Sequence, residues 1–260
     1  NVVLLADITA PKGFAALGGS NGAAFLGTFD GRGHTISGLS GDLIRTLGGT
    51  SAVRDLTVSG GGLFAAGAAN STLNVVNCLR TDNGTLIGSA ADTSVLTVSN
   101  CGSRGALVGM LKLDQGYAKK FEHCYSADKL FQTVSLDMTT GGDTSQKHRN
   151  SLTVSDSYQT GDDLVNNSSF PNVQLQKVTA GQLSGGGTAW TLNRSTTEGW
   201  TLWAQQDGIP VFALDGRRQA YRVEFGAKSG VYAYSDAEGH VTVPAKQSSQ
   251  VWSFQREDGS

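Results

Sequence analysis

The sequence predicts an all-β fold: a single-stranded right-handed parallel β-helix (solenoid) with a C-terminal cap and a small appended β module. Three observations predict it. A hydrophobic pair behind a short turn recurs about once per coil, a second word recurs with the same step, and no segment carries the 3.6-residue apolar period of a helical array. The pair stands at Asp42-Leu43-Ile44, Gly62-Leu63-Phe64, Thr85-Leu86-Ile87, Ala106-Leu107-Val108, Lys129-Leu130-Phe131 and Asp163-Leu164-Val165, and its leucines step by 20, 23, 21, 23 and 34 residues. The second word stands at Leu73-Asn74-Val75-Val76-Asn77-Cys78, Leu96-Thr97-Val98-Ser99-Asn100-Cys101, Phe121-Glu122-His123-Cys124 and Leu152-Thr153-Val154-Ser155-Asp156-Ser157. Its cysteines step by 23 and 23, and Ser157 follows after 33. The right hand follows from the near-universal hand of strand–crossover–parallel-strand connections.

Stacking like positions at the strand spacing of about 4.8 Å makes the ladders intelligible. Leu, Val, Ile and Phe in register fill a continuous core, while Asn77 and Asn100 lock a bend by bonding the backbone and each other. Both ladders lengthen in the last step, which places an insertion at Leu136 to Asn150. It holds Gly141-Gly142-Asp143 and Lys147-His148-Arg149, and is expected as a loop projecting from one coil. A parallel solenoid has two open ends with unpaired backbone groups, so caps are expected to flank it.

Composition agrees. Gly at 35, Pro at 4 and only 16% charged residues, against about 25% in typical domains, suit short strands joined by tight turns. Lys+Arg 20 against Asp+Glu 22 leaves −2, so no global field favours nucleic acid or an anionic membrane. No apolar run reaches the roughly 18 residues of a bilayer span, and no signal segment opens the chain. Asn1-Val2-Val3-Leu4-Leu5 reads as mid-domain strand, so the chain is expected to be a fragment of a longer protein. Three cysteines, at 78, 101 and 124, form no even disulfide framework and no zinc spacing; free, packed thiols are expected.

The segment Phe25 to Leu39, with its Asp30-Gly31 turn and the alternating strand Thr35-Ile36-Ser37, reads as the first coil. Here the chain resembles the bacterial surface proteins with GLUG-type repeats, whose first coil is similar to Gly27-Thr-Phe-Asp-Gly-Arg-Gly-His-Thr-Ile-Ser-Gly-Leu39. The resemblance extends to Ala6-Asp7-Ile8, to the Gly-Leu-Phe word and to the Asn-Cys word. It implies an extracellular setting on a bacterial cell surface, and adhesins or non-catalytic parts of larger proteins as the functional class. The chain departs from the pattern in the fifth coil, where Lys119 and Lys120 align with Leu96 and Thr97, and His123 replaces the ladder Asn.

Residues 1–165 are thus expected as the solenoid, 166–220 as the cap and 221–260 as the module. In the cap, Gly181 to Asn193 reads as a short helix interrupted by Gly185-Gly186-Gly187, and its tryptophans as a seal over the open core. The module reads as strands at Tyr221–Phe225, Gly230–Tyr234, Val241–Pro244 and Val251–Phe254, with a turn at Asp236-Ala-Glu-Gly239. Forty residues make a marginal domain, so it is expected to lean on the cap.

The four histidines, 34, 123, 148 and 240, form no metal-spaced pair on one element, and neither a metal nor a cofactor is expected. No nucleophile elbow, phosphate loop or metalloprotease word occurs. Because β-helices also carry polysaccharide lyases and glycosidases, paired carboxylates deserve a place, and Glu122 and Asp156 fall on neighbouring strands. The favoured reading is a binding surface made by the exposed Tyr117, Lys119, Lys120, Tyr125, Lys147, His148, Arg149 and Tyr158, a Tyr-plus-cation composition suited to recognition. Its expected partner is a host or cell-wall glycoprotein or glycan.

Overall fold

The computed structural model describes residues 1–260 apart from 20–22, 137–144, 163–164, 166–168, 227–229 and 244–260. The chain divides into two compact units, Asn1–Lys177 and Val178–Ser260.

The first unit is a parallel β-solenoid of about seven turns. A coil precedes the one expected as first: β1 (Val2–Val3) and β2 (Ile8–Thr9) pair parallel with β3 (Thr28–Asp30) and β4 (Thr35–Ser37). The second coil closes with β5 (Ile44–Leu47), and the third is β6 (Thr50–Val58) and β7 (Phe64–Gly67). The fourth is β8 (Thr72–Arg80) and β9 (Ile87–Ala90), and the fifth β10 (Val95–Ser99), β11 (Gly102–Ser103) and β12 (Val108–Leu113). The sixth is β13 (Lys119–Glu122), β14 (Tyr125–Ser126) and β15 (Phe131–Leu136), followed by a helix, α1 (Ser145–Asn150), and then β16 (Leu152–Gln159). The expected projecting loop is therefore helical over its last six residues; Gly141, Gly142 and Asp143 lie outside the described residues. The ladder also runs past 165, since β17 (Val173–Lys177) pairs parallel with β16.

Both sequence ladders are spatial columns. Ile44, Phe64, Ile87, Val108 and Phe131 stand in register, each behind a fully or nearly fully buried Leu; Asp163 and Leu164 lie outside the described residues, and Val165 is buried. Leu73, Leu96, Lys119 and Leu152 form a second column, and Val53, Val75, Val98, Phe121 and Val154 a third. The bend after these strands is a column of left-handed residues: Asp55, Asn77, Asn100, His123 and Asp156, with φ of 53°, 51°, 50°, 58° and 44°. Asn, Asp and His tolerate this region because their short polar side chains bond locally. Asn77 Nδ2 donates to Asp55 Oδ1 at 2.6 Å and Asn100 Nδ2 to Asn77 Oδ1 at 2.8 Å, the cross-coil bonding the repeat implied.

A fourth, polar column comes after the bend. Arg80, Ser103, Ser126 and Gln159 stack in register and are buried. Each satisfies backbone groups of the turn that leads to the Leu pair: Arg80 bonds Thr85 O at 2.7 Å, Ser103 bonds Gly84 O at 3.1 Å, Ser126 bonds Lys129 O at 2.9 Å, and Gln159 Oε1 accepts Leu130 N–H at 2.7 Å. Turn carbonyls and amides inside a solenoid need such partners.

The second unit holds α2 (Ala180–Ser184), α3 (Gly187–Asn193), a hairpin of β18 (Trp203–Gln206) and β19 (Ile209–Phe212), and a second antiparallel pair of β20 (Arg222–Glu224) and β21 (Tyr232–Tyr234). Thr179 and Gln182 form a reciprocal capping box on α2. The glycines break the helix as expected, Gly186 at φ 87°. Trp203 is fully buried and packs on Phe212, ring centroids 4.4 Å apart. Asn193 clamps β18 through both edges of its amide, 2.8 Å to Trp203 O and 2.7 Å from Trp203 N. Residues expected in the module bond the segment before them: Ala237 N–H donates to Gln205 O, and Arg218 N–H to Ala237 O. Val251–Phe254 lies outside the described residues.

Candidate functional site

The surface expected on the irregular coils is largely an interior. Tyr125 is fully buried and Tyr158 is 5% exposed. They are adjacent in register, but Tyr125 lies over Gly102, where an added Cβ would collide with its ring at Cε1. Burial raises both phenols above the usual tyrosine range. Lys119 and His148 are also fully buried, Arg149 is half-buried with its guanidinium 5.7 Å from the Phe170 ring, and Tyr117 is half-buried. Lys120 and Lys147 are exposed, and Lys120 is paired with Glu122 at 2.6 Å. The eight residues do not form one exposed patch.

Lys119 occupies the Leu column because alternation points it inward. Its Nζ bonds Asp92 O at 3.1 Å, Ser94 Oγ at 3.2 Å and Ser94 O, so three oxygens of the neighbouring turn replace lost water. Burial lowers the ammonium to about 8, against the raising fields of Asp92 and Asp114. His148, on α1, lies 3.2 Å from Asp114 Oδ1. His123, at the bend, is lowered to about 4 by burial, against the raising fields of Asp156 and Glu122.

Glu122 and Asp156 are one step out of register. Glu122 pairs with Ser155, and Asp156 stacks in the bend beside His123. Glu122 is held by Lys120 on its own strand, and Asp156 is exposed at the corner.

The cysteine column is core. Cys78, Cys101 and Cys124 are free and fully buried, and each thiol bonds the carbonyl two residues earlier, Val76, Ser99 and Glu122, at 3.3, 3.2 and 3.2 Å. Ser157 repeats the bond to Ser155 O at 2.8 Å. Burial pushes the thiols of Cys101 and Cys124 well above the ordinary range, so they stay protonated and neither attack nor ligate.

A cleft with no counterpart in the sequence reading lies within the second unit. It has a volume of about 580 Å³ and is lined by the α2 end, β18, β21 and the turn after it, including Gln205, Tyr232, Tyr234, Asp236 and His240. That size is in the range of ligand pockets, about 300–1,000 Å³. Tyr232 is 40% exposed, and the Arg222 guanidinium lies between its ring and that of Trp190, 4.4 and 4.3 Å from the centroids. Trp190 in turn packs on Tyr234 at 5.8 Å. Gln205 is 6% exposed; its Nε2 donates to Ser184 O at 3.0 Å, while Oε1 is buried and accepts from none of the described residues. The turn is legible as Asp236-Ala-Glu-Gly239, but the packing of Trp190 on Tyr234 is not legible in the sequence. Among the described residues, no helix is long and apolar enough to cross a membrane. Compared with protein-family models, with curated proteins and with solved structures, the chain has no match in any of the three.

Proposed function

We propose that this chain is a non-enzymatic binding and spacer region of a secreted bacterial surface protein, whose solenoid is a rigid rod and whose second unit holds a glycan or glycoprotein in its cleft. The observation that carries the reading is the pairing, in one cleft, of the exposed Tyr232 ring with the polar side chains of Asp236 and His240. A saccharide has apolar C–H faces that lie against Tyr rings and hydroxyls that bond carboxylate and imidazole groups, so it answers both. The bacterial surface setting is supported by the GLUG-like words from Ala6 to Leu39 and by the Asn-Cys ladder.

The test is incubation of the full chain with a panel of host and cell-wall glycans and glycoproteins, reading binding and cleavage together. Retention of at least one saccharide class, weakened tenfold or more by Tyr232→Ala, is the expected outcome. Retention unaffected by Tyr232→Ala moves the site out of the cleft, and reproducible cleavage abolished by Glu122→Gln overturns the reading in favour of a carbohydrate-active enzyme.

A further inference from the structure

The turn between β8 and β9 reads Asp82-Asn83-Gly84-Thr85. Arg80 staples it: Nε and Nη2 donate to Asp82 Oδ1 and Oδ2 at 3.1 and 2.9 Å, and Nη1 donates to Thr85 O at 2.7 Å. Those partners stand on either side of Asn83-Gly84, so the guanidinium fixes the length of main chain that runs between them. An added Cβ on Gly84 would collide with the same guanidinium, and glycine alone avoids the clash.

Asn83 is held quite differently from the asparagines of the bend. Asn77 and Asn100 are buried, their Nδ2 atoms donate to Asp55 Oδ1 and Asn77 Oδ1 at 2.6 and 2.8 Å, and each is followed by a cysteine. Asn83 is exposed, and among the described residues its side chain makes no hydrogen bond and the Gly84 N–H donates none. The carboxamide can therefore turn onto the next main-chain nitrogen, and that nitrogen can give up its proton. Such an attack within one chain has a high effective concentration, and glycine has no side chain to crowd the approach.

We infer that Asn83 is a site of self-modification, at which the folded chain converts its own asparagine to aspartate or isoaspartate. The Gly84 nitrogen attacks Asn83 Cγ; the N–Cγ bond forms, the Cγ–Nδ2 bond breaks, and the proton of the Gly84 amide leaves with the side-chain nitrogen as ammonia. Water then opens the cyclic imide at either carbonyl. It is the only co-reactant. Both products place a carboxylate inside the staple, in competition with Asp82 for the guanidinium, and the isoaspartyl product also lengthens the main chain there by one carbon. That lengthening strains the bond from Arg80 to Thr85 O, which sets the turn ahead of Leu86-Ile87. The site does not depend on what the cleft of the second unit holds.

The test is incubation of the full chain at mildly alkaline pH, with samples digested by trypsin over time and read by mass spectrometry. Cleavage after Arg80 and Arg104 puts Asn83 and Asn100 in one peptide and Asn77 in the one before it; the other Asn-Gly pair, Asn21-Gly22, lies outside the described residues and falls in a separate peptide. A synthetic peptide of residues 80–86 gives the rate of the same pair without the fold. Conversion of Asn83 in the chain is expected at no less than a tenth of the peptide's rate and at least tenfold faster than at Asn77 or Asn100, and Asn83→Gln should remove it. A rate below a tenth of the peptide's, or less than tenfold above that of the bend asparagines, overturns the inference. The isolated isoaspartyl chain should unfold at lower urea than Asn83→Gln, and equal midpoints would overturn the strained staple.

Discussion

The fourth and fifth coils and the sixth share a backbone but not a chemistry. In the former, the inward column holds Leu73 and Leu96 and the bend holds Asn77 and Asn100; in the sixth, the same positions hold Lys119 and His123, both fully buried. The strands pair in unbroken register through the change. Register in a stacked solenoid is thus set by the sum of its columns, and a single coil tolerates a cation in the core when its neighbours fix the strand. What the sixth coil gives up is pH-independence.

The largest expected effect breaks the comparison by pH. Both bases have folded pKa values below their unfolded ones, so the unfolded chain binds the proton more tightly and stability rises with pH across each window. For His123 the penalty is absent above about 6.5, grows as pH falls and is complete below about 4. For Lys119 it is absent above about 10.5 and complete below about 8. Each window is worth at most about 3 kcal/mol, less whatever solvent near the turns screens. Urea unfolding from pH 4 to pH 9 is expected to show a rise up to about 6.5, a plateau to about 8 and the start of a second rise, which above about 9 is opposed by the buried thiols of Cys101 and Cys124, because their raised pKa values let the unfolded chain release protons first. His123→Asn, which restores the residue type of the coils before it, should flatten the acid rise and leave the alkaline one. An unchanged acid limb in that variant would assign the acid loss to carboxylates instead.

The tyrosine column gives the next effect, and shows how far the sequence can be read. The columns of Leu43 to Leu130 and of Cys78 to Ser157 are legible because a stacked column demands like residues at a step equal to one coil. The same reasoning puts Tyr125 and Tyr158 correctly in one column but on the wrong side of the surface. Strict alternation after Cys124 points Tyr125 out, and its burial depends on a missing side chain one coil earlier, at Gly102, which alternation does not register. Lys119 likewise aligns with Leu96, but its burial runs against the rarity of buried lysine. The cleft of the second unit draws on Gln205, Tyr232 and His240, which no repeat connects. Gly102→Ala drives a Cβ into the Tyr125 ring, and overpacking of a fully buried ring is expected to cost about 3 kcal/mol in chemical denaturation. Tyr125→Leu in the same chain should recover most of it; no recovery would locate the strain in the backbone.

A smaller effect is expected at the bend of the regular coils. Asn100→Ala removes the donor to Asn77 Oδ1 and forces an alanine to φ 50°, costing about 2 kcal/mol. Asn100→Gly accepts the backbone but still loses the bond, so the difference between the two variants isolates the conformational part. Equal losses would mean that the hydrogen-bond ladder alone holds the corner.

The smallest effect is the reverse substitution in the core of the sixth coil. Lys119→Leu makes the column that runs through Leu73, Leu96 and Leu152 uniform and removes a buried charge, which is favourable at neutral pH, where the lysine penalty is complete. It also strips Asp92 O, Ser94 O and Ser94 Oγ of their donor, and carbonyls left in a dry turn offset most of the gain. The net is a stabilisation of about 1 kcal/mol at pH 7, in line with other replacements of buried ions by apolar residues. The alkaline rise should vanish with it, so parent and variant curves converge and then cross between pH 8 and 10.5, as the parent loses its penalty and keeps its hydrogen bonds. A variant less stable than the parent at pH 7 would show that Lys119 holds the turn of the fifth coil more firmly than its burial costs. The irregular coil would then be a clasp between neighbouring turns rather than a tolerated defect.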